Sequence, residues 1–256
     1  TIIRQWLRLQ DYGYRKKGPG HRATERPFEI RNIMKEILIF GSGVHSKVIL
    51  SEIIQIKGYR VIGFVDENIK KGTIIETYKN KKYKVVSNIK GINKLLNKNT
   101  FGIIGIGSNF IRKKVAEEIN KIYKNFNWTT IISKNSTING NVRIGKGSLI
   151  VSGSVINTGT KIGEHCLINT SSSIDHDNTF ENYSSTGPGV TTGGNVELGQ
   201  CSHLGIGSTV KHQISIGDNT IIGAQSMVLK NCNKNSVYCG IPAKKIRDRE
   251  DNSKYL

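Results

Sequence analysis

A histidine flanked by two acidic residues is the feature of this sequence best suited to chemistry. It lies in the segment Ile174-Asp175-His176-Asp177. An imidazole titrates near neutral pH and can act as a general base, and a carboxylate on its other ring nitrogen fixes the tautomer and stabilises the imidazolium that forms. Asp177 and Asp175 are both candidates for that carboxylate. Taken alone, the tripeptide also fits a surface histidine without a function.

The sequence around His176 repeats with a period of six. A small or β-branched residue follows four positions after each inward apolar position, with Asn178 as the one departure. This period fits neither an α-helix nor a hairpin sheet and is typical of a parallel β-helix with three hexapeptides per triangular coil, of which roughly five fit here. The sixteen apolar positions, two of them threonine, are Ile138, Ile144, Ile150, Ile156, Ile162, Ile168, Ile174, Phe180, Thr186, Thr192, Leu198, Leu204, Val210, Ile216, Ile222 and Val228.

The repeat also predicts the direction of the histidine side chains. His176 lies two residues beyond the inward position Ile174, so its ring should project outward at a turn. Gly194 follows one coil of eighteen residues later and is expected beside His176 on the same corner. The other β-helix histidines match no motif and are expected to be surface or interface residues: His165, His203 and His212.

The preceding segment predicts a small parallel α/β sheet. Strands are expected at 36–40, 59–65 and 101–106, and each ends in a polar or Gly-rich loop at the carboxyl edge, where open α/β folds bind ligands. Asp66 and Glu67 stand about twenty-five residues after the glycine turn, where dinucleotide folds place an acid against a ribose hydroxyl. Ser46 replaces the third glycine of a GxGxxG motif, so a tight turn without a ligand is the alternative.

Composition limits the class of protein. The 256 residues contain 38 Lys and Arg against 19 Asp and Glu, a net charge of +19, which raises polyanion or nucleic-acid binding as a hypothesis. Only 7% of residues are aromatic and no nucleic-acid motif is present, so we expect no nucleic-acid partner. We expect no membrane insertion and a cytoplasmic location. Four irregularly spaced cysteines predict reduced thiols and no metal: Cys166, Cys201, Cys232 and Cys239.

Four segments are expected along the chain. Residues 1–33 are Arg-rich and precede Met34, which favours a vector-derived or upstream-translated leader, with a native basic arm as the alternative. A Rossmann-like nucleotide-binding domain is predicted at 34–130 and a β-helix domain at 131–235. A C-terminal cap and tail follow at 236–256.

The motifs together resemble a known family. The order GSGVHSK, GFVDEN, GIGSNFIRKK, NTSSSIDHD, GGNVELG and GIPAKKI is similar to that of bacterial nucleotide-sugar acetyltransferases of the UDP-N-acetylbacillosamine N-acetyltransferase and sialic acid O-acetyltransferase type. The resemblance runs from residue 34 to about residue 246. It implies a left-handed β-helix, acetyl-CoA as co-substrate, a nucleotide-activated aminosugar as substrate, and a homotrimer with each site between two prisms.

The resemblance also implies roles for individual residues. His176 is the expected general base, with Asp177 as its carboxylate partner. Ser185 departs from the pattern, because the family's type member has a second histidine at this position. The resemblance implies a contact with coenzyme A here. Residues matching nucleotide-sugar contacts are Gly43, Val44, His45, Asp66, Glu67, Gly107 and Asn169; those matching coenzyme A contacts are Gly194, Ile206, Ser185 and Lys244, with Lys245 beside the last.

We therefore expect an acetyl-CoA-dependent N-acetyltransferase that acts on the amine of a nucleotide-linked 4-amino-4,6-dideoxy sugar in surface polysaccharide or glycan biosynthesis. The first alternative is O-acetylation of a sialic acid type sugar. The second is a polyanion-binding module. A homotrimer is expected because apolar residues on the outer faces of a lone prism would contact water: Val155, Leu149, Leu167 and Ile206.

Overall fold

The computed structural model describes residues 34–250, so the predicted leader and the last six residues of the predicted tail lie outside the described residues. The described residues begin with a five-stranded sheet in the order β3-β4-β2-β1-β5. Two α-helices and one 3₁₀ helix accompany it. The elements are β1 (Lys35–Phe40), α1 (Val44–Ile53), β2 (Tyr59–Val65), β3 (Ile74–Tyr78), β4 (Lys81–Ser87), the 3₁₀ helix (Ile89–Leu95), β5 (Thr100–Ile104) and α2 (Asn109–Ile122).

The sheet contains the three predicted strands and a hairpin that the sequence pattern does not reveal. Strands β2, β1 and β5 are parallel neighbours, as expected. Strand β3 pairs antiparallel with β4, so the sheet is mixed rather than purely parallel. The hairpin turns at Lys79 and Asn80, both with positive φ, as a two-residue turn of type I′ requires. Strand β3 is mostly exposed, and β4 has three lysines among its seven residues, so neither strand shows the buried apolar run that marks the other strands.

The rest of the described chain forms a three-sided prism of two-residue parallel strands. Face 1 contains β6 (Ile131–Ile132), β9 (Leu149–Ile150), β12 (Leu167–Ile168), β15 (Ser185–Thr186), β18 (His203–Leu204), β21 (Ile221–Ile222), β23 (Ser236–Cys239) and β24 (Lys244–Asp248). Face 2 contains β7 (Thr137–Ile138), β10 (Val155–Ile156), β13 (Ser173–Ile174), β16 (Thr191–Thr192), β19 (Thr209–Val210) and β22 (Met227–Val228). Face 3 contains β8 (Arg143–Ile144), β11 (Lys161–Ile162), β14 (Thr179–Phe180), β17 (Glu197–Leu198) and β20 (Ser215–Ile216).

The register of the prism confirms the six-residue period. Each predicted apolar position is the second residue of its strand, and most of them pair with the residue eighteen positions on, as Ile156, Ile174 and Thr192 do on face 2. The prism begins one strand before the predicted repeat, at β6. The backbone turns at each corner three residues after the apolar position, where φ is positive even at non-glycine residues such as Asp177. The predicted fold class, a Rossmann-like α/β sheet followed by a left-handed parallel β-helix, is confirmed.

One face of the prism is covered by the α/β sheet and its helices. Leu149 and Leu167 of face 1 are buried in one apolar cluster with Ile37, Leu50 and Ile53. The expectation that these two leucines form an outer surface of the prism is therefore wrong. The apolar side chains of the sheet and α1 and those of face 1 are buried against one another, which holds the sheet on face 1. The carboxyl edge of the sheet therefore lies near the prism.

Candidate functional site

The predicted base and its carboxylate meet at the corner between faces 2 and 3, here called the 2–3 corner. His176 Nδ1 lies 2.9 Å from Asp177 Oδ2, and both side chains are about half exposed. Asp175 instead turns its Oδ1 to the His176 backbone N–H and to the amide of Asn157. The hydrogen bond to Asp177 raises the pKa of His176 most, and the nearby charge of Asp175 also raises this pKa. Asp177 is therefore the carboxylate on the ring nitrogen.

Gly194 lies against the His176 ring, as the eighteen-residue spacing predicts. A methyl group at Gly194 would come within 2.5 Å of Cε1 and Nε2 of that ring, so any larger residue would displace the ring. The Gly194 N–H makes no hydrogen bond within residues 34–250. His176 and Gly194 border an open groove of about 410 Å³, whose other walls include Asp175 and His212.

His212 is a groove residue that sequence analysis missed. It lies eighteen residues after Gly194, and it is exposed at the same corner. The period of eighteen was available as a signal, because His176, Gly194 and His212 form one column of the repeat.

The predicted nucleotide-sugar residues Gly43, Val44 and His45 form the start of α1 at the carboxyl edge of the sheet. Gly43 is the helix N-cap, and no side chain caps the first turn. The space above Gly43 and above Gly107 is open. Ser46 packs closely under Gly105, where an added methyl would meet the Ser46 Cβ at 2.7 Å. Gly105 thus provides the close helix–strand approach that the third glycine of GxGxxG usually allows.

The two acids after β2 are engaged within the protein. Asp66 Oδ2 accepts hydrogen bonds from the backbone N–H and the hydroxyl of Ser42, and its Oδ1 accepts from the Asn68 and Ile69 N–H groups. Burial acts to raise the Asp66 pKa, but these hydrogen bonds together lower it. Glu67 Oε1 accepts from the Ile89 N–H. Both acids line a cavity of about 180 Å³ with Gly41 and Ile106, so a pocket is present at this edge of the sheet. Most of the carboxylate oxygens of the two acids already accept hydrogen bonds from the protein itself.

Three further predicted residues lie at the 1–2 corner and the cap, away from His176 in the same chain. Asn169 and Ile206 follow strands of face 1, whereas His176 follows a strand of face 2. Ile206 is 57% exposed. Lys244 begins β24 and is exposed, while the neighbouring Lys245 pairs with Asp248 at 2.6 Å. A ligand that contacts both Ile206 and His176 must bridge two corners of the prism, or two prisms.

Ser185 is buried and has its hydroxyl engaged. Its Oγ lies 2.8 Å from Asn109 Oδ1, to which it donates, and 2.8 Å from His203 Nδ1. The side chain is 1% exposed, because face 1 is covered here by α2. This position gives the predicted contact between Ser185 and coenzyme A no support.

The buried partner of Ser185 belongs to a network that sequence analysis missed. Arg112 of α2 is 3% exposed and donates to the carbonyl oxygens of Ile106, Gly107, His165 and Tyr183 and to Asn109 Oδ1. Asn109 Nδ2 in turn donates to the carbonyls of Cys201 and Ser202. His165, Tyr183 and Cys201 share the turn position of the 3–1 corner, so Arg112 and Asn109 join α2 to three successive coils. In the sequence, Arg112 looks like any other charged residue of a helix, so the local pattern does not predict this contact.

Histidines near this network have depressed pKa values. Burial, followed by the charge of Arg112, lowers the pKa of His45 to about 4, of His165 to about 3 and of His203 to about 4. His165 stacks on Tyr183 and meets Trp128 edge-on. These imidazoles are neutral at physiological pH. His165 is buried at the junction of the sheet and prism, which is an interface within the chain.

Within the described range, no group of three or more His, Cys, Asp or Glu side chains is arranged to hold a metal ion. In the same range, no helix has the length and apolar character needed to cross a membrane.

The chain is similar to known proteins in both halves. Residues 36–119 match the model of the PglD N-terminal domain. Galactoside O-acetyltransferase of Escherichia coli (strain K12) is 38% identical over 66 residues, and the chain spans 30% of that protein's length.

Solved structures share the architecture over most of the chain. PerB from Caulobacter crescentus, in complex with CoA and GDP-perosamine, is 26% identical with a TM-score of 0.73, and the match covers 82% of this chain and 96% of that one. A mutant of perosamine N-acetyltransferase from the same organism is 25% identical with a TM-score of 0.74, over 83% and 97%. The acetyltransferase domain of PglB from Neisseria gonorrhoeae FA1090 has the same fold, with 22% identity, a TM-score of 0.75 and 83% and 100% coverage. The expected resemblance to hexapeptide-type nucleotide-sugar acetyltransferases is confirmed.

Proposed function

We propose that this protein transfers the acetyl group of acetyl-CoA to the amine of a nucleotide-linked 4-amino-4,6-dideoxy sugar. The observation that carries the proposal is the half-exposed His176–Asp177 pair beside Gly194 in an open groove. Support comes from the perosamine N-acetyltransferase relatives, whose structures hold CoA and GDP-perosamine.

The proposed reaction is a direct transfer with His176 as general base. The neutral amine nitrogen attacks the thioester carbonyl carbon, and His176 takes the proton that the nitrogen loses. Asp177 stabilises the resulting imidazolium through its hydrogen bond to Nδ1. When the carbon–sulfur bond breaks, the imidazolium returns the proton to the coenzyme A thiolate. The products are an acetamido sugar and coenzyme A, and no acyl-enzyme forms.

In the proposed reaction the backbone N–H of Gly194 donates a hydrogen bond to the thioester oxygen. Its N–H makes no hydrogen bond among the described residues, and a donor aimed at a developing oxyanion is usually a large term in such catalysis. Without a side chain, Gly194 also allows the thioester to approach the His176 ring closely.

The acceptor's nucleotide is assigned to the carboxyl edge of the sheet. Gly43, Val44 and His45 present the uncapped first turn of α1, which suits phosphate oxygens. Asp66, Glu67 and Gly107 border or adjoin the pocket at that edge. Asn169 lies on the prism and is assigned to the acceptor sugar. An amine is favoured over a hydroxyl because the acids beside His176 attract an ammonium group.

A homotrimer is part of the proposal, because the predicted coenzyme A contacts lie on separate corners. Large apolar side chains are exposed at the 1–2 corner (Ile206), on face 2 and directly after it (Met227 and Leu229), and in the cap (Ile241). A three-fold cyclic contact that covers these side chains would bring Ile206 and Lys244 of one copy toward His176 of the next. These four residues replace Leu149 and Leu167 as the support for assembly.

The test is coenzyme A release with a panel of UDP-, GDP- and dTDP-linked 4-aminosugars, their 4-hydroxy counterparts and free sialic acid. We expect one nucleotide-linked aminosugar to react fastest and to give an acetamide by mass spectrometry. Faster acetylation of a hydroxyl compound would establish the O-acetyltransferase alternative. Absence of transfer to every sugar, with retention on polyanion resin at physiological salt, would favour the binding module.

A further inference from the structure

The corner position four residues after each apolar residue has a recurring role in the prism. At several coils a buried hydroxyl there donates to the backbone carbonyl fifteen residues on, in the next coil. Ser148 donates in this way to Gly163 at 2.8 Å, and Ser202 donates to Gly217 at 2.7 Å. Thr160 does the same to the Asp175 carbonyl at 2.8 Å, directly below the turn of His176. Each such bond links two coils at one point.

Asn178 occupies this position in the coil of His176 and makes more bonds than a hydroxyl can. It is fully buried, and its Nδ2 lies 2.7 Å from the Asp175 carbonyl oxygen, 3.2 Å from that of His176 and 3.0 Å from that of Gly193. A hydroxyl has one hydrogen to donate, whereas a primary amide has two. One side chain therefore holds the turn that carries His176 and the turn that carries Gly194.

The amide of Asn178 also has a cost that the side chains of the two adjacent coils avoid. Its Oδ1 is buried and has no hydrogen-bond partner in the described part of the chain. An unpaired buried acceptor destabilises a fold. Stability alone would favour a paired hydroxyl, as at Thr160 in the preceding coil, or an apolar side chain, as at Val196 in the next. A local departure of this kind, directly behind a reacting group, indicates a requirement of the site.

We propose that Asn178 is a positioning residue that fixes the His176 turn at its distance from the Gly194 turn. This inference rests on the transfer reaction proposed above, in which the base and the oxyanion donor act on the same thioester. A misplacement of about 1 Å between such groups can lower a rate 10²-fold. Serine at position 178 can keep one bond to the Gly193 carbonyl but releases the carbonyls of Asp175 and His176.

The first test is Asn178→Ser, with Ser148→Ala as the matched control at the 3–1 corner. For Asn178→Ser we expect kcat to fall about 10- to 100-fold, with unchanged KM for both substrates and an unchanged or higher urea midpoint. For Ser148→Ala we expect a lower urea midpoint and unchanged kcat. A lower midpoint for Asn178→Ser with wild-type kcat would show a merely structural role and overturn the proposal.

The second test separates action through His176 from a general effect. In a His176→Ala background, Asn178→Ser should lower kcat no further, because the group that it positions is absent. A further fall of the same size in that background would contradict the proposal.

The third test does not depend on the reaction. Titration of ¹⁵N-labelled histidines by NMR should show that Asn178→Ser lowers the pKa of His176, since the released turn weakens the bond to Asp177. Wild type that transfers no acetyl group to any aminosugar would refute the proposed function, and this titration would still decide the role of Asn178. An unchanged His176 titration in Asn178→Ser would overturn that role.

Discussion

The 2–3 corner and the 3–1 corner of the prism arise from the same repeat and place their histidines in opposite environments. At the 2–3 corner His176 is about half exposed, and its hydrogen bond to Asp177 raises its pKa. At the 3–1 corner His165 is buried beside Arg112, and its pKa falls to about 3. The same hexapeptide repeat thus yields one accessible base, two residues after the apolar position Ile174, and one buried core residue, three residues after the apolar position Ile162. The 3–1 corner is covered by α2, whereas the 2–3 corner borders an open groove.

The contrast predicts the largest effect at His176. His176→Ala should lower turnover by about 10²–10⁴-fold, the usual contribution of a positioned general base, while coenzyme A binding remains. His203→Ala is the comparison at the covered side, and it should lose stability but keep its turnover per folded molecule. Steady-state kinetics and calorimetric binding check both. Equal losses of turnover in the two variants would remove the distinction between the corners.

Substitutions at the covered 3–1 corner should lower the free energy of unfolding rather than the turnover. Arg112→Met removes donors from several buried carbonyls, and we expect the free energy of unfolding to fall by about 3 kcal/mol or more. Lys121→Ala, on an exposed position of the same helix, should stay within about 0.5 kcal/mol of wild type. Urea unfolding followed by circular dichroism measures both. An Arg112→Met protein as stable as Lys121→Ala would show that the network does not hold α2 to the prism.

One added methyl group tests how closely Gly194 and His176 must approach at the 2–3 corner. Gly194→Ala places a Cβ within 2.5 Å of the His176 ring, which must move, so kcat should fall about 10- to 100-fold. Gly43→Ala is a matched control for folding, because a methyl there meets nothing within 4 Å. Both variants should unfold at the wild-type temperature. Wild-type kcat in Gly194→Ala would contradict the close placement of base and oxyanion donor.

The smallest expected effect concerns Asp177. Asn tolerates the left-handed backbone of this position, so Asp177→Asn should fold normally. Loss of the carboxylate removes the main cause of the raised His176 pKa. The base is active when neutral, so the acidic limb of the pH–rate profile should shift to lower pH, while the plateau rate falls about tenfold. An unchanged acidic limb would assign the orienting role to Asp175.

The two corners also differ in how well sequence predicts them. The spacing of eighteen places Gly194 against His176, and neighbouring residues supply the Asp177 carboxylate, so a local and periodic signal suffices. Arg112 reaches coils that are 53 and 71 residues away through backbone carbonyls. Every residue has a backbone carbonyl, so a side chain that binds carbonyls cannot be predicted from the residue types of its partners. The burial of Leu149, Leu167 and Ser185 was missed for the same reason, since it depends on packing by a distant part of the chain.

One NMR titration of the histidines in the wild-type protein tests the central claim, that within residues 34–250 only the 2–3 corner offers an accessible basic imidazole. We expect His176 to titrate above the ordinary value of about 6.5, whereas His45, His165 and His203 stay neutral down to about pH 5. Single-residue histidine variants assign the signals. A pKa of His176 at or below the ordinary value, or a titration of His165 or His203 near neutral pH, would contradict it.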